Sequence, residues 1–287
     1  MRYGIIVNPV CGTLSVDKKR KILDGASMVL QDCVIEGFDT KTREELKDCA
    51  RELSNKAETL IVAGGDGTLS DIINSVDEST QLSLFPLGTG NAMKYTLGLP
   101  NRYIKIAEQI KNGSEHRLDL IDLHDRKAML TSIGLEGCVL QERAGYLQQG
   151  LTGFNSYYRA VIRTLLDFKK FYAKVEIDGR AFEFPDCLSL IVTKSPFYGY
   201  GIKAVPKAKI DDGFLHLLVL NIGKTQLIYG FGLGIIRVNH NIGEYFRARN
   251  IQIETGREIA MQADGDLHNP QNRFEFSILP KALKMRY

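Results

Sequence analysis

Apolar residues in the first 120 positions alternate between two patterns. Short continuous runs at 3–7, 33–38, 60–63 and 82–86 suit buried strands. Between them, apolar positions recur at helical spacing over 17–30, 42–53 and 69–76, and two more helices are predicted at 92–97 and 103–111. Thr42 can cap its helix, and Glu45 three residues later completes a capping box. Strands and helices in this alternation predict a parallel sheet with helices on both faces.

After about residue 117 the pattern changes. Strand-like runs dominate at 118–123, 128–133, 173–177, 180–184, 188–193, 214–220, 274–279 and 283–286. Asp178-Gly179 between two alternating runs predicts a tight hairpin. The predicted fold class is therefore an α/β N-terminal domain with a parallel sheet and nucleotide-binding turns, followed by a mostly antiparallel β-sandwich. Two helices interrupt the second part. Residues 151–171 hold Tyr157, Tyr158, Val161, Ile162, Leu165 and Leu166 among Arg159, Arg163, Lys169 and Lys170. Residues 225–238 hold Leu227, Ile228, Phe231, Leu233, Ile235 and Ile236 with few charges. Such helices either pack on the sandwich or lie at a membrane interface, and both readings stand.

Composition adds bounds. With 287 residues, 44% hydrophobic and 25% charged, the chain suits one large or two medium globular domains. A net charge of only +3 gives no dominant field for nucleic acid, so none is expected as a partner. No run of 18 uncharged apolar residues occurs, so a lipid would have to be met at a membrane surface. The chain opens on a strand rather than an apolar signal region, and its five scattered cysteines have no zinc spacing; a cytoplasmic chain with free thiols is expected. The five histidines show no catalytic or metal spacing.

The candidate chemistry sits where predicted strands end. Leu60 to Ala63 run into Gly64-Gly65-Asp66-Gly67-Thr68, then into a helix. A glycine turn at a helix start offers backbone N–H groups to a phosphate and sets Asp66 beside it. Phe85-Pro86-Leu87-Gly88-Thr89-Gly90-Asn91 is a second such loop, whose Thr89 and Asn91 can donate to phosphate or base. Asn8-Pro9-Val10-Cys11-Gly12 is a third. In an open parallel sheet such loops gather at the carboxyl edge. Neither a Walker loop nor a G-x-G-x-x-G fingerprint is present, and each turn alone would also suit an ordinary tight corner.

Asn8-Pro9-x-x-Gly12, Gly64-Gly65-Asp66-Gly67-Thr68 and Gly88-Thr89-Gly90-Asn91 resemble, in this order, the diacylglycerol kinase catalytic domain. The likeness is greatest to small bacterial soluble lipid kinases related to sphingosine and ceramide kinases. The segment from Gly201 to Asp211-Asp212-Gly213 and the stretch Gln262-Ala263-Asp264-Gly265-Asp266 agree with later motifs of that family.

The resemblance implies an ATP-dependent lipid kinase that uses Mg²⁺, with diacylglycerol to phosphatidic acid the first expectation. It implies domains at 1–120 and 121–277, with a tail from about 278 to 287 returning to the first. Nucleotide contacts would come from the three loops, with Thr40 added by the resemblance, and Asp66 would hold Mg²⁺. A second, structural Mg²⁺ is implied at the Asp212 carboxylate and the main-chain oxygens of Lys209 and Phe214. The acceptor hydroxyl needs a carboxylate to take its proton. Alternation would put Asp264 and Asp266 on one face of an extended segment, although Asp-Gly is also a common hairpin turn. The family has Glu where this chain has Asp266, so either aspartate is left as the base. Glu136, in Gly134-Leu135-Glu136-Gly137, stands where the family commonly has Asp, lining the interdomain cleft.

The acceptor would be presented by a membrane that a cytoplasmic enzyme touches transiently; whether the chain forms a homodimer is open. Two alternatives remain: a catalytically silent nucleotide- or lipid-binding protein, and an NAD kinase. The latter shares the Gly-Gly-Asp-Gly-Thr turn but would carry a different following loop.

Overall fold

The computed structural model describes residues 2–151 and 153–287, so Thr152, within the helix predicted at 151–171, lies outside the described residues. The chain forms two units. The first takes the residues up to Asp119, Gly199–Gly201 and Lys281–Tyr287; the second takes Leu120–Tyr198 and Ile202–Pro280.

In the first unit strands and helices alternate: β1 (Tyr3–Val7), α1 (Val16–Leu30), β2 (Cys33–Glu36), α2 (Arg43–Ser54), β3 (Thr59–Gly64), α3 (Asp66–Ile73), β4 (Gln81–Pro86), α4 (Ala92–Thr96) and α5 (Tyr103–Asn112). The strands lie in the order β2-β1-β3-β4, all parallel, with Ile5 beside both Ile35 and Ile61. Met285 adds a last parallel pairing beside Leu82. Tyr3, Ile5, Val7, Ile61 and Phe85 pack with Leu23 and Ala26 of α1 and Ile106 and Ile110 of α5. Gly4 points the other way, where Leu53 of α2 leaves no room for a Cβ. Helices thus cover both faces, as the strand pattern of period two requires.

Order reverses between β1 and β3: the chain leaves β1 toward β2, then crosses back to β3. Ligands of open parallel sheets bind at such a switch point, outside the carboxyl ends of the strands.

Helix α2 starts as its sequence predicts, with one difference. The Thr42 hydroxyl accepts from Glu45 N at 3.1 Å, but the Glu45 carboxylate reaches back to Lys41 N at 2.7 Å, one residue before the cap.

β5 (Glu115–Asp122) leads into the second unit, which holds β6 (Lys127–Ala128), β7 (Leu130–Gly134), α6 (Leu135–Gln148), α7 (Gly153–Asp167), β8 (Phe171–Ile177), β9 (Arg180–Cys187), β10 (Ser189–Thr193), β11 (Leu215–Leu220), α8 (Lys224–Ile235), β12 (Glu244–Ala248), β13 (Asn250–Ala263) and, up to Pro280, β14 (Asp266–Arg286). Pairing is antiparallel along β12-β11-β10-β7-β13. β13 serves both layers: Ile251–Thr255 pairs β8, and Met261–Ala263 pairs β7. Phe171, Val175 and Phe184 of one layer and Leu190, Leu217 and Val219 of the other fill one core. The Asp178-Gly179 hairpin is present, with φ of 46° and 82°.

Four elements differ from the sequence pattern. Helix α6 was not predicted, because only Leu135, Gly137 and Val139 of its residues are buried and no apolar stripe shows. β12 and β13 were also missed, although Asn250 to Thr255 of β13 alternates exposed and buried positions as a half-buried strand does. The runs predicted at 274–279 and 283–286 belong to one strand, β14, bent at Pro280-Lys281 where Lys281 has φ 55°. No helix among the described residues is long and apolar enough to cross a membrane.

Candidate functional site

In the first unit the three glycine loops meet at the carboxyl ends of β1, β3 and β4. The Asn8 amide donates to Thr68 Oγ1 at 2.9 Å, and Asn8 N donates to Ala63 O at 3.1 Å, so the first loop is tied to the second. Gly64 O accepts from Leu87 N and Gly88 N at 2.8 and 3.2 Å, tying the second to the third. Gly65 and Gly88 approach backbone to backbone: a Cβ on Gly88 would lie 2.4 Å from the Gly65 Cα. At Gly12, φ is 65° and a Cβ would strike Leu87 O at 2.2 Å. These positions need glycine because another loop occupies the side-chain space.

Asp66 opens α3. Its Oδ2 accepts from Ala92 N at 2.7 Å and its Oδ1 from Met93 N at 3.0 Å, capping α4. Burial pushes its carboxyl up, while these amide donors pull it down. Asn91, at φ 48°, donates to Gly88 O at 2.6 Å; its own Oδ1 is buried without a partner. Thr89 is exposed at the loop tip, and Gly67 has open space where a Cβ would stand. Thr40 turns back on its own loop, its hydroxyl donating to Gly37 O at 2.7 Å.

Two parts of this site escaped sequence reasoning. Fully buried Lys19 donates to Pro9 O at 2.7 Å and Cys11 O at 2.6 Å, with Asn8 O at 3.4 Å. The available signal was a lysine on the apolar face of α1, in line with Leu23, Ala26 and Leu30. Burial pushes the Cys11 thiol up despite Lys19 beside it, which disfavours the thiolate. The second part is Gly199–Gly201, distant in sequence: Tyr200 N donates to Gly90 O at 2.7 Å. No local pattern marked it.

In the second unit, Asp264 and Asp266 do not lie on an extended segment. Asp264 and Gly265, at φ 49° and 93°, are the two turn residues of the β13–β14 hairpin, and Asp266 pairs with Ala263. The left-handed backbone at both turn positions makes a tight reversal and breaks the alternation. Asp264 accepts from Leu130 N at 2.9 Å and from Met129 N at 3.1 Å, a structural tie to the start of β7. Asp266 instead faces Arg126, with 3.2 Å between Oδ2 and Nη1.

The oxygens expected to ligate a structural Mg²⁺ gather around another group. The fully buried Lys194 donates to Asp212 Oδ1 at 3.0 Å and to Phe214 O at 2.5 Å. Lys209 O faces the His216 ring at 3.0 Å. Among the described residues no group of three His, Cys, Asp or Glu side chains could hold a metal.

Glu136 stands in the first turn of α6 and accepts from the Ser189 hydroxyl. Burial pushes its carboxyl up to about 7, against that hydrogen bond. It lines a pocket wholly within the second unit, otherwise walled mainly by apolar side chains of α6, α7, α8, β10 and β11, including Val139, Val161, Leu165, Ile191, Leu220 and Leu227. Tyr198, whose hydroxyl is buried, also lines this pocket.

Comparison with known proteins places the chain by family and fold. Residues 2–123 match the model of the diacylglycerol kinase catalytic domain, and residues 132–286 that of the YegS C-terminal NAD kinase beta sandwich-like domain. A diacylglycerol kinase of Staphylococcus saprophyticus is 26% identical over 92% of this chain and 88% of its own length, and one of Staphylococcus carnosus is 24% identical over the same shares. A solved diacylglycerol kinase structure from Bacillus anthracis superposes with a TM-score of 0.80 at 23% identity, covering 100% of this chain and 96% of that one. An NAD kinase from Archaeoglobus fulgidus in complex with ATP has a TM-score of 0.53 at 12% identity, over 100% of this chain and 93% of that one; at such identities the likeness is one of fold. By its two domain matches, in this order and across nearly its whole length, the chain belongs to the diacylglycerol kinase family.

Proposed function

We propose that this chain is an ATP-dependent lipid kinase that moves the γ-phosphate to a lipid hydroxyl, with diacylglycerol as acceptor and phosphatidic acid as product. The observation that carries the lipid part is the pocket of the second unit. Its cavity volume is about 180 Å³, and its lining is almost wholly apolar. Space of this kind suits an acyl chain, and the paired Glu136 and Ser189 suit a polar group at its head. The helices that frame it, α7 and α8, leave Tyr158, Leu166, Ile228, Tyr229 and Ile236 exposed, beside exposed Arg159, Lys169 and Lys170. Apolar and basic residues side by side favour contact with an anionic membrane, from which a lipid could enter between the helices.

The three loops of the first unit suit a nucleotide. The first-turn N–H groups of α3 point outward from the helix start, where they favour phosphate. Each Asp66 oxygen accepts one amide and keeps a further lone pair. Asp66 would hold the magnesium ion that travels with the nucleotide phosphates, and that ion supplies neutralisation of charge on the transferring group. Asp266, whose carboxylate is only partly screened by Arg126, would take the proton from the acceptor hydroxyl. Asp264 is the poorer base, since two amides already hold it.

A second reading is a silent nucleotide- and lipid-binding protein. The Arg126 ion pair favours it, because it engages the carboxylate oxygen that would otherwise face the acceptor hydroxyl. Label from γ-labelled ATP, followed into diacylglycerol in mixed micelles, separates the two. The kinase reading expects labelled lipid with the native chain and none with Asp66→Ala. Nucleotide binding with no labelled lipid contradicts it.

A further inference from the structure

The turn at Asp211-Asp212-Gly213 brings together three oxygens that the family resemblance assigns to a structural Mg²⁺, yet the donor set around them does not fit a metal. Two of the three, Asp212 Oδ1 and Phe214 O, lie 3.0 and 2.5 Å from Lys194 Nζ. The third, Lys209 O, lies 3.0 Å from His216 Nε2, which is also 3.1 Å from Asp212 Oδ1. The other Asp212 oxygen faces Arg247 Nη2 at 3.1 Å. His216 is itself held from behind, its Nδ1 2.7 Å from the Tyr245 hydroxyl.

A magnesium ion asks for near-octahedral oxygens at about 2.0–2.1 Å. Here the same oxygens already face an ammonium and an imidazole, and a dication among them would stand within a few ångströms of both the ammonium and the Arg247 guanidinium. Lys194 in turn needs this place. Its side chain is fully buried, and a buried ammonium persists only with a charge partner and satisfied N–H groups. The lysine follows directly on β10 (Ser189–Thr193), so the strand aims it into the turn.

We propose that the Lys194 ammonium is the built-in cation of this turn, and that the second unit of this chain neither binds nor needs a divalent metal there. The inference concerns binding and stability and is independent of the proposed transfer reaction.

The test uses the full chain without nucleotide. Magnesium content is measured after gel filtration from Mg²⁺-containing buffer, and the thermal midpoint is compared in EDTA and in excess Mg²⁺. The proposal expects no retained metal and the same midpoint in both. Retained metal near one per chain, with a midpoint that falls in EDTA, overturns it. Lys194→Met, which keeps the length and removes the charge, is expected to lower the midpoint in EDTA by about 5–10 °C, since Asp212 loses its buried counter-charge. A variant as stable as the native chain in EDTA would equally overturn the proposal. Should that variant fail to fold, metal content and midpoint of the native chain still decide.

Discussion

At the scale of single residues, the proposed function gives the two aspartates of the β13–β14 hairpin different parts, Asp264 structural and Asp266 chemical. Asp264 → Ala removes the acceptor of the Met129 and Leu130 amides and is expected to cost about 2–3 kcal/mol in a denaturant titration. Asp266→Asn keeps the shape and should leave that titration nearly unchanged while lowering the initial transfer rate about 100-fold or more. The opposite split would exchange the roles. Glu136 gives a pH signature. Its folded carboxyl is raised to about 7, above its ordinary value, so between about pH 4.5 and 7 the folded state holds a proton that the unfolded state has released. Stability from this group is therefore lost as pH rises through that window. Glu136→Gln, neutral throughout, should flatten the fall in stability, by an amount on the order of 2 kcal/mol. An unchanged slope in melting curves from pH 4.5 to 7.5 would refute the assignment. Residue identities at the loops were legible because glycines mark close approach and Asp66 stands among them. Lys19 and Lys194 were not, because each is one polar residue in an apolar setting whose partners, main-chain carbonyls and one carboxylate, come together only in the fold.

At the scale of elements, the sequence located most strands and the helices α1 to α5, α7 and α8. It failed where burial did not follow a period. Helix α6 buries too few side chains to show a stripe, and β13 serves two layers, so its pattern answers to two partners. The strongly apolar α8 was read in two ways, packed or interfacial, and the structure gives it both faces. Leu227 packs inward beside Ile191 and Leu220, while Ile228 and Ile236 are exposed. If the exposed face meets lipid, Ile228→Glu with Ile236→Glu should lower sedimentation with anionic vesicles about tenfold or more, because two apolar contacts are lost and two like charges gained. Melting of the double variant should match the native chain. Unchanged sedimentation would assign the exposed face another role.

At the scale of the whole molecule, alternation followed by short strands was enough to read an α/β unit followed by a β-sandwich. The places where the chain departs from sequence order were harder to see. Gly199–Gly201 belongs to the first unit although it falls within the second in sequence, and there Tyr200 N donates to Gly90 O at 2.7 Å. Lys281–Tyr287 also belongs to the first unit, where Arg286 O accepts from the Ser83 hydroxyl at 2.8 Å and the Arg286 guanidinium donates to Ile110 O and Lys111 O. Nothing local in a short apolar strand says which sheet it joins. In the proposed function the division is the same: the loops of the first unit would hold the phosphates, and a pocket lined by five elements of the second would take the acceptor.

The central claim is therefore tested most directly by offering one enzyme preparation, with γ-labelled ATP and Mg²⁺, a set of acceptors side by side: diacylglycerol, sphingosine and ceramide in mixed micelles, and NAD in solution. The account predicts label in a lipid, diacylglycerol foremost, none in NAD, and loss of the lipid label with Asp266→Asn. Label in NAD, or in no acceptor while ATP still binds, would contradict it.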